Sequence, residues 1–173
     1  MKRAHILPVI ALALLPVGCW AQAQLSDAQI MTILETANQV DMDAGRMAQT
    51  RARSREVREF GRDMFRDHRG LNRQARSLAR KLKLRLQGTE VSKSLEESGR
   101  ENVANLRRLS GSDFDRAYMT REVAYHQQVL EALEKQLIPN ARNDELKKLA
   151  TSARGAVAEH LEHARRLQAG LGK

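Results

Sequence analysis

Cysteine, proline and aromatic residues are scarce in this 173-residue chain. Its one cysteine, Cys19, and one tryptophan, Trp20, lie near the amino terminus, so the rest of the chain can form no disulfide bond or cysteine-ligated metal site. Pro8 and Pro16 lie in the same segment, which leaves Pro139 as the only proline beyond it. Because Ala, Leu, Arg, Glu and Gln are abundant where proline is absent, we predict a chain that is helical throughout.

The amino terminus has the pattern of a secretory signal peptide. Lys2 and Arg3 precede an apolar run over residues 6–18, and Ala21-Gln22-Ala23 is a small-x-small cleavage site. The run is shorter than the roughly 20 apolar residues that a membrane span needs. We therefore predict a signal peptide over 1–23 and an exported, periplasmic protein of one domain over 24–173.

Two other interpretations of this terminus stay open. The apolar run can be retained as an anchor helix. The segment Leu15-Pro16-Val17-Gly18-Cys19 is similar to a lipobox, with Pro16 where leucine is usual, and so indicates a lipoprotein with a modified Cys19 as the second alternative.

Apolar residues in the predicted mature chain recur at mixed spacings of three and four, which is typical of one face of a helix. Such faces favour packing at about 20° in a four-helix bundle. We predict an all-α fold with antiparallel pairs A–B and C–D, parallel helices B and C, and a short helical connector between these two at 89–109. The four predicted helices are A over 26–52, B over 54–86, C over 112–137 and D over 143–171. Their predicted caps are Ser26 with Gln29, Ser54, Ser112 with Asp115, and Asn143 or Asp144.

Three histidines, His68, His126 and His160, lie on the apolar faces of three different predicted helices. Metal sites in bundles are built from facing helices, and imidazole suits Zn, Cu and Fe. Of the two acids beside the face of helix A, Asp41 and Asp43, we choose Asp43 as a fourth ligand. These four residues form our candidate transition-metal site, although no cofactor is certain from the sequence.

The alternative is that each histidine is a hydrogen-bonded core residue. No di-iron site can be drawn, because Phe65, Val123 and Val157 stand three residues before His68, His126 and His160, where such sites have glutamate. The histidines also differ in height. His126 lies about 16 Å from the end of helix C at Leu137, whereas His160 lies about 24 Å from the start of helix D at Asp144. His160 and His163 offer a weak surface chelate as a further alternative.

Several stretches resemble the bacterial DUF4142 family: Val40 to Ala48, Val57 through Phe60 and Met64 to Asp67-His68, Leu109 to Tyr118, Val123-x-x-His126, and His160-Leu161. The resemblance covers most of 27–168 and implies a ferritin-like bundle, exported and often labelled a predicted outer-membrane protein, with no established activity. The chain departs from the family pattern at Tyr125, where aspartate is usual, and at Glu122, where methionine is usual. If that aspartate orients the histidine in relatives, these departures weaken a metal role.

Arginines form a continuous stripe along predicted helix B. They are Arg55, Arg58, Arg62, Arg66, Arg69, Arg73, Arg76 and Arg80. Interleaved acidic residues can pair with them on a solvated helix face. The functional alternative is a surface that binds anionic envelope components, phosphates or lipid, for which Arg55 to Arg73 are the candidate residues. We expect no nucleic-acid partner, because the few aromatic residues are placed for a core and not for base stacking.

Motifs of catalysis are absent from the sequence, which has no glycine-rich phosphate loop, cysteine motif or nucleophile–base pair. Asp67 and Glu159 are each one residue from a histidine, which turns them about 100° away around the helix. We therefore predict a protein that acts by binding or packing and not by catalysis. A redox role through bound Cu or Fe is the exception left open.

Overall fold

The computed structural model describes residues 24–171, and the predicted signal peptide with Cys19 lies outside this range. Within it the chain is all-helical and has no strand, as predicted. Five long helices follow one another: α1 (Asp27–Arg51), α2 (Arg55–Lys81), α3 (Glu90–Arg107), α4 (Gly111–Ala132) and α5 (Asp144–Gly170). None of the helices in 24–171 combines the length and the apolar character that crossing a membrane requires.

Helices α1 and α2 form an antiparallel hairpin. The predicted capping box at the start of α1 is confirmed, because Ser26 and Gln29 each bond the backbone N–H of the other. Two glycines face each other where the helices cross. A Cβ atom on Gly45 would lie 2.6 Å from the carbonyl oxygen of Gly61, so only glycine allows the two backbones to come this close.

Helix α2 ends at Lys81, and the prediction that it extends to about Leu86 is wrong. The N–H of Leu84 bonds the carbonyl of Ala79, and that of Lys83 bonds the carbonyl of Arg80, which together form a Schellman motif. Lys83 takes the left-handed conformation, with φ of 53°. Glycine usually marks this position, so the sequence carried no sign of the helix end.

Helix α3 has 18 residues and lies within the predicted 89–109 connector. It packs closely along α1, where a Cβ atom on Gly99 would lie 2.8 Å from a methyl carbon of Val40. At its carboxyl end, the carbonyls of Arg107 and Leu109 accept hydrogen bonds from Arg51 of α1. The connector is therefore a full helix that covers α1.

Helix α4 begins at Gly111, and the predicted capping box of Ser112 and Asp115 is not formed. Asp115 instead bonds the chain between α1 and α2, where its two carboxylate oxygens accept from the N–H groups of Arg53 and Ser54 at 2.8 and 2.7 Å. This residue therefore ties the start of α4 to the turn that opens α2.

Beyond Ala132 the chain stays helical through a π-helical segment, Leu133–Leu137, and a last turn, Ile138–Asn140. The N–H of Ile138 bonds the carbonyl of Leu133, five residues back. Pro139, which has no N–H to give, is thus accommodated inside the helix without ending it. Helix α5 then starts at Asp144 and is capped by Asn143, one of the two predicted caps.

Helices α2 and α4 run parallel, as predicted, because Phe60 lies beside Tyr118 and, further along both helices, His68 lies beside His126. Buried apolar residues form two separate clusters. One contains Ile30, Leu34, Leu133, Leu146 and Val157, and the other contains Phe60, Met64, Leu106, Phe114 and Met119. A layer of buried polar side chains lies between them, formed chiefly by Asp41, His68, Glu122 and His126.

Candidate metal centre

His68, His126 and His160 come from α2, α4 and α5 and meet in this polar layer. Their ring centroids are 5.9 Å apart for His68 and His126, 5.3 Å for His68 and His160, and 5.6 Å for His126 and His160. One nitrogen of each ring lies within 4.8 Å of the corresponding nitrogens of the other two. The difference in height calculated from the sequence therefore does not prevent a cluster of all three.

The reason lies at Pro139, where the sequence predicted a break. Because the helix continues to Asn140, His126 lies about 21 Å from its end at 1.5 Å per residue, close to the roughly 24 Å between Asp144 and His160. The connection to α5 absorbs the small difference that remains, so the two histidines reach the same level.

The carboxylate of this layer is Asp41 and not the predicted Asp43. Asp41 is 3% exposed, and its Oδ2 lies 3.1 Å from Nε2 of His68 and 3.6 Å from Nε2 of His126. Asp43 is exposed, accepts a hydrogen bond from Gln39, and borders a groove of about 980 Å³ between α1 and α3. Because Asp43 lies two residues after Asp41, its side chain is turned by about 200° around the helix from that of Asp41 and points away from the core.

A chain of hydrogen bonds fixes which nitrogen of His68 carries its proton. The amide nitrogen of Asn72 donates to the backbone carbonyl of Glu35, which can only accept. The side-chain oxygen of Asn72 then accepts from the amide nitrogen of Asn38 at 2.9 Å, and Oδ1 of Asn38 accepts from Nδ1–H of His68 at 2.8 Å. Nε2 of His68 therefore carries the lone pair, and it faces Asp41.

The other two rings are oriented in the same way. Nδ1–H of His126 donates to the backbone carbonyl of Glu122 at 2.9 Å, and Nε2–H of His160 donates to Asp67 at 3.2 Å. The lone pairs are thus left on Nε2 of His126 and Nδ1 of His160. Since a backbone carbonyl orients His126, the ring needs no aspartate at position 125, and the departure of Tyr125 from the family pattern removes no partner of His126.

The inward-facing atoms have no hydrogen-bond partner within residues 24–171. They include Nε2 of His68, Nε2 of His126 and Nδ1 of His160, all of them buried. Such atoms lose their hydration on folding, and leaving them unpaired costs about 1–3 kcal/mol each. A group of three is therefore a costly arrangement, unless something that accepts lone pairs occupies the space between them.

Protonation of these groups suits metal binding. Burial, assisted by His126 and His160 and opposed by Asp41, lowers the pKa of His68 from 6.5 to about 4. Burial, assisted by His126, also lowers the pKa of His160. Burial acts against ionisation of Asp41, but His126 and His68, together with a hydrogen bond from Glu122 and the more distant His160, hold the pKa of Asp41 below its ordinary value. At neutral pH His68 and His160 are uncharged and Asp41 is a carboxylate, the forms that bind metals.

Glu122 and Tyr118 extend the polar layer, and the sequence analysis did not assign them to the site. Glu122 is 1% exposed and its Oε2 lies 3.4 Å from Nδ1 of His126. Burial and the charge of Asp41 raise the pKa of Glu122 well above its ordinary value, and a protonated Glu122 carboxyl can donate a hydrogen bond to Asp41. The spacing of four residues from Tyr118 to Glu122 to His126 was the available sign, since it places all three on one helix face.

The donor set matches a site for a divalent transition metal. Tetrahedral coordination at about 2.0 Å needs donor atoms about 3.3 Å apart; the nitrogens of the three histidines lie within 4.8 Å of one another, and Asp41 lies within 4.8 Å of His126 and Glu122. Three imidazole nitrogens and one carboxylate oxygen suit Zn, Cu or Fe better than Mg or Ca, which prefer oxygen. The carboxylate that orients His160 belongs to Asp67 of α2, so this hydrogen bond joins two helices and does not come from an acid on the helix of His160.

The arginine stripe on α2 is largely engaged with neighbouring groups. Arg55, Arg62 and Arg66 pair with acids of α2, and Arg76 pairs with Glu35 of α1. Arg58 donates to the carbonyls of Ala52 and Arg53 after the end of α1. Within the stripe, Arg69, Arg73 and Arg80 are exposed and have no carboxylate partner in the described range.

Comparison with known proteins gives one result. The profile of a protein family described as "Domain of unknown function (DUF4142)" matches residues 16–167. No curated protein and no solved structure matches the chain.

Proposed function

This chain belongs to the DUF4142 family, and we propose that it binds one divalent transition-metal ion in the core of a ferritin-like four-helix bundle. In this proposal α1, α2, α4 and α5 form the bundle and α3 covers α1. His68, His126 and His160 supply nitrogen ligands from three helices, and Asp41 supplies an oxygen ligand from the fourth.

One observation carries the proposal. The outer nitrogen of each ring is held by an acceptor, while the three inner nitrogens face one another without partners and two of them lie beside Asp41. Bonding of the outer nitrogen is how proteins orient metal-binding histidines. Histidines that served only packing would be expected to bond through both nitrogens, or to give way to apolar residues.

The proposed location is the periplasm or the inner face of the outer membrane. It rests on the basic, apolar and small-residue order of the first 23 residues. Cell fractionation together with amino-terminal sequencing tests it, since cleavage after Ala23 is expected and a lipid on Cys19 would show the lipoprotein interpretation to be right.

Metal content of the purified, untagged protein tests the proposed function. We expect close to one equivalent of Zn, Cu or Fe by elemental analysis, and uptake of Co²⁺ with the visible spectrum of a low-coordinate site. His68→Ala, His160→Ala and Asp41→Asn should each lose the metal. The matched control is His163→Ala, because His163 is three residues from His160 but packs on Phe60 outside the cluster. A wild-type protein that takes up no metal, or a His163→Ala protein that loses it equally, would exclude this function.

A second candidate is binding to an anionic envelope surface through the exposed, unpaired Arg69, Arg73 and Arg80 of α2. The chain has a formal net charge of +9, to which Lys2 and Arg3 contribute two, and this adds long-range attraction. Sedimentation with vesicles that contain phosphatidylglycerol should show salt-sensitive binding that Arg69→Glu with Arg73→Glu abolishes. Arg55→Glu with Arg62→Glu, a change at ion-paired arginines, is the control.

A further inference from the structure

The connection between α2 and α3 carries exposed apolar side chains. Leu86 in this connection is 48% exposed, and Val91 in the first turn of α3 is 45% exposed. Within residues 24–171 no other large apolar side chain is exposed. Exposed apolar residues that are scattered singly are ordinary on protein surfaces. These two lie within six residues of each other, so residues 82–91, which we call the tip, form an apolar point on the described surface.

Positive charge surrounds this apolar point. Three exposed cations without a carboxylate partner in residues 24–171 lie in or beside the tip: Arg80, Lys83 and Arg85. The neighbouring acids are engaged with other cations, because Glu90 pairs with Lys93 and Glu145 pairs with Lys81. The tip therefore combines apolar side chains with cations that are available to an anionic partner.

The backbone of the tip is held against the rest of the protein. The N–H of Leu84 closes the Schellman motif at the end of α2, and its side chain packs on an apolar cluster of the core. The N–H of Gln87 bonds Oγ1 of Thr32 in α1 at 3.1 Å, and Thr89 with Ser92 forms a capping box at the start of α3. A partner that binds here meets a surface already in place, so little ordering of the chain opposes binding.

The tip lies at the end of the protein that also carries its amino terminus. Thr32, which the tip bonds, is in the second turn of α1. At the same end, Arg142 donates its N–H to Asp27 and its guanidinium to Gln24. The two alternatives for the amino terminus, a retained anchor helix or a lipid on Cys19, would place a membrane at this end. Cleavage of a signal peptide leaves the end free to approach one.

We infer that the tip docks the protein on a membrane surface that contains anionic phospholipid, with Leu86 and Val91 entering the headgroup region and the three cations contacting phosphates. Binding of this kind depends on the apolar area that is buried and on attraction to anionic lipid, and the tip offers both. Each cation near such a surface raises affinity about fivefold. The inference is independent of the metal centre. It extends the second candidate function by placing the contact at the tip instead of along α2.

Tryptophan fluorescence tests the contact directly. The mature chain 24–173 has no tryptophan, so Leu86→Trp introduces a single fluorophore. We expect its emission to shift to shorter wavelength with vesicles of phosphatidylglycerol and phosphatidylcholine, and not with phosphatidylcholine alone. Spin-labelled lipid in the same vesicles should quench it. The control is Asn105→Trp, because Asn105 is exposed about 22 Å further along α3, and its emission should not change.

Sedimentation with the same vesicles measures the affinity. Lys83→Gln with Arg85→Gln should lower it about 25-fold, and Leu86→Ser about fivefold, because roughly half of the Leu86 side chain remains to be buried. Arg107→Gln with Arg108→Gln is the matched control, since both cations are exposed at the other end of α3. Circular dichroism checks that each variant is folded.

The outcomes separate this inference from the proposed functions. Vesicle binding without a shift in Leu86→Trp, equal affinity for neutral and anionic vesicles, or an equal effect of the tip and control variants would each overturn it. Binding that Arg69→Glu with Arg73→Glu abolishes while the tip variants leave it unchanged would also overturn it, and would favour the second candidate. No binding to any vesicle would overturn both, and metal content, measured on the same protein, would still decide the proposed metal centre.

Discussion

Asn38 gives the most direct test of how the candidate metal centre is organised. Its oxygen accepts the proton of His68 and its nitrogen donates to Asn72, so it connects the ring to the backbone of Glu35. Asn38→Leu removes both bonds while keeping a side chain of similar size. His68 is then free to place its proton on Nε2, which would block the lone pair that a metal needs.

The structure indicates the size of the effect. Loss of a partner that orients a metal-binding histidine typically lowers affinity by 10–100-fold, or about 1.4–2.7 kcal/mol. Asn38→Leu also leaves the side-chain oxygen of Asn72 and Nδ1 of His68 unpaired, at about 1–3 kcal/mol each in folding stability. Asn38→Asp separates the two effects, because a carboxylate still accepts from His68 but cannot donate to Asn72. We expect Asn38→Asp to keep the affinity and lose only stability.

Competition between the protein and a chromophoric chelator for Co²⁺ measures the affinity, and urea unfolding of the metal-free protein measures the stability. Asn102→Leu is the control, since Asn102 is half-buried on α3 and outside the cluster. The reasoning would be refuted by wild-type affinity in Asn38→Leu, or by an equal loss of affinity in Asn38→Leu and Asn38→Asp.

Three further predictions concern the fold. Gly45→Ala should lower stability by about 1–3 kcal/mol, because its Cβ would lie 2.6 Å from the oxygen of Gly61. Gly155→Ala, where nothing lies within 4 Å, should raise stability by up to about 1 kcal/mol, and similar thermal midpoints for both variants would contradict the packing at Gly45. Asp115→Ala should cost about 1–3 kcal/mol in urea unfolding, because the N–H groups of Arg53 and Ser54 lose their acceptor, and an unchanged midpoint would contradict this. Burial depresses the pKa of His68 to about 4, so the unfolded chain binds more protons than the folded protein between about pH 6.5 and 4. The metal-free protein should therefore lose roughly 3 kcal/mol of folding stability as the pH falls through this range. His68→Gln should show a smaller pH dependence in the same urea experiment, and an identical profile would show that His68 is not the group responsible.

Most of the helices could be predicted from the sequence because local chemistry sets their ends. Ser26 with Gln29, Ser54 and Asn143 act as caps at the predicted positions. The ends that were wrong depend on interactions without a local sign. Lys83 takes a conformation that usually belongs to glycine, and Asp115 bonds a turn that is 61 and 62 residues away in the chain.

The apolar spacing also placed His68, His126 and His160 on inward faces, and the structure confirms that all three point into one layer. Their common height could not be predicted, because it depends on the π-helical segment that takes Pro139 into the helix. Asp41 could have been chosen over Asp43 from spacing, because it lies four residues after Ala37 and three before Ala44 on the buried face of α1.

The polar layer itself is the strongest argument that the fold serves more than packing. Apolar clusters lie on both sides of it, so apolar side chains at Asp41, His68, Glu122 and His126 would join them into one continuous core. Buried polar groups cost free energy unless they are paired, and apolar replacements of similar size are often neutral or stabilising. The chain nevertheless keeps a carboxylate among imidazoles, and Asn38, Asn72 and Asp67 orient the rings of His68 and His160. Because the orienting bonds all go to the outer nitrogens, the inner atoms stay available for a cation, and binding a cation would recover the free energy that the layer costs the metal-free protein.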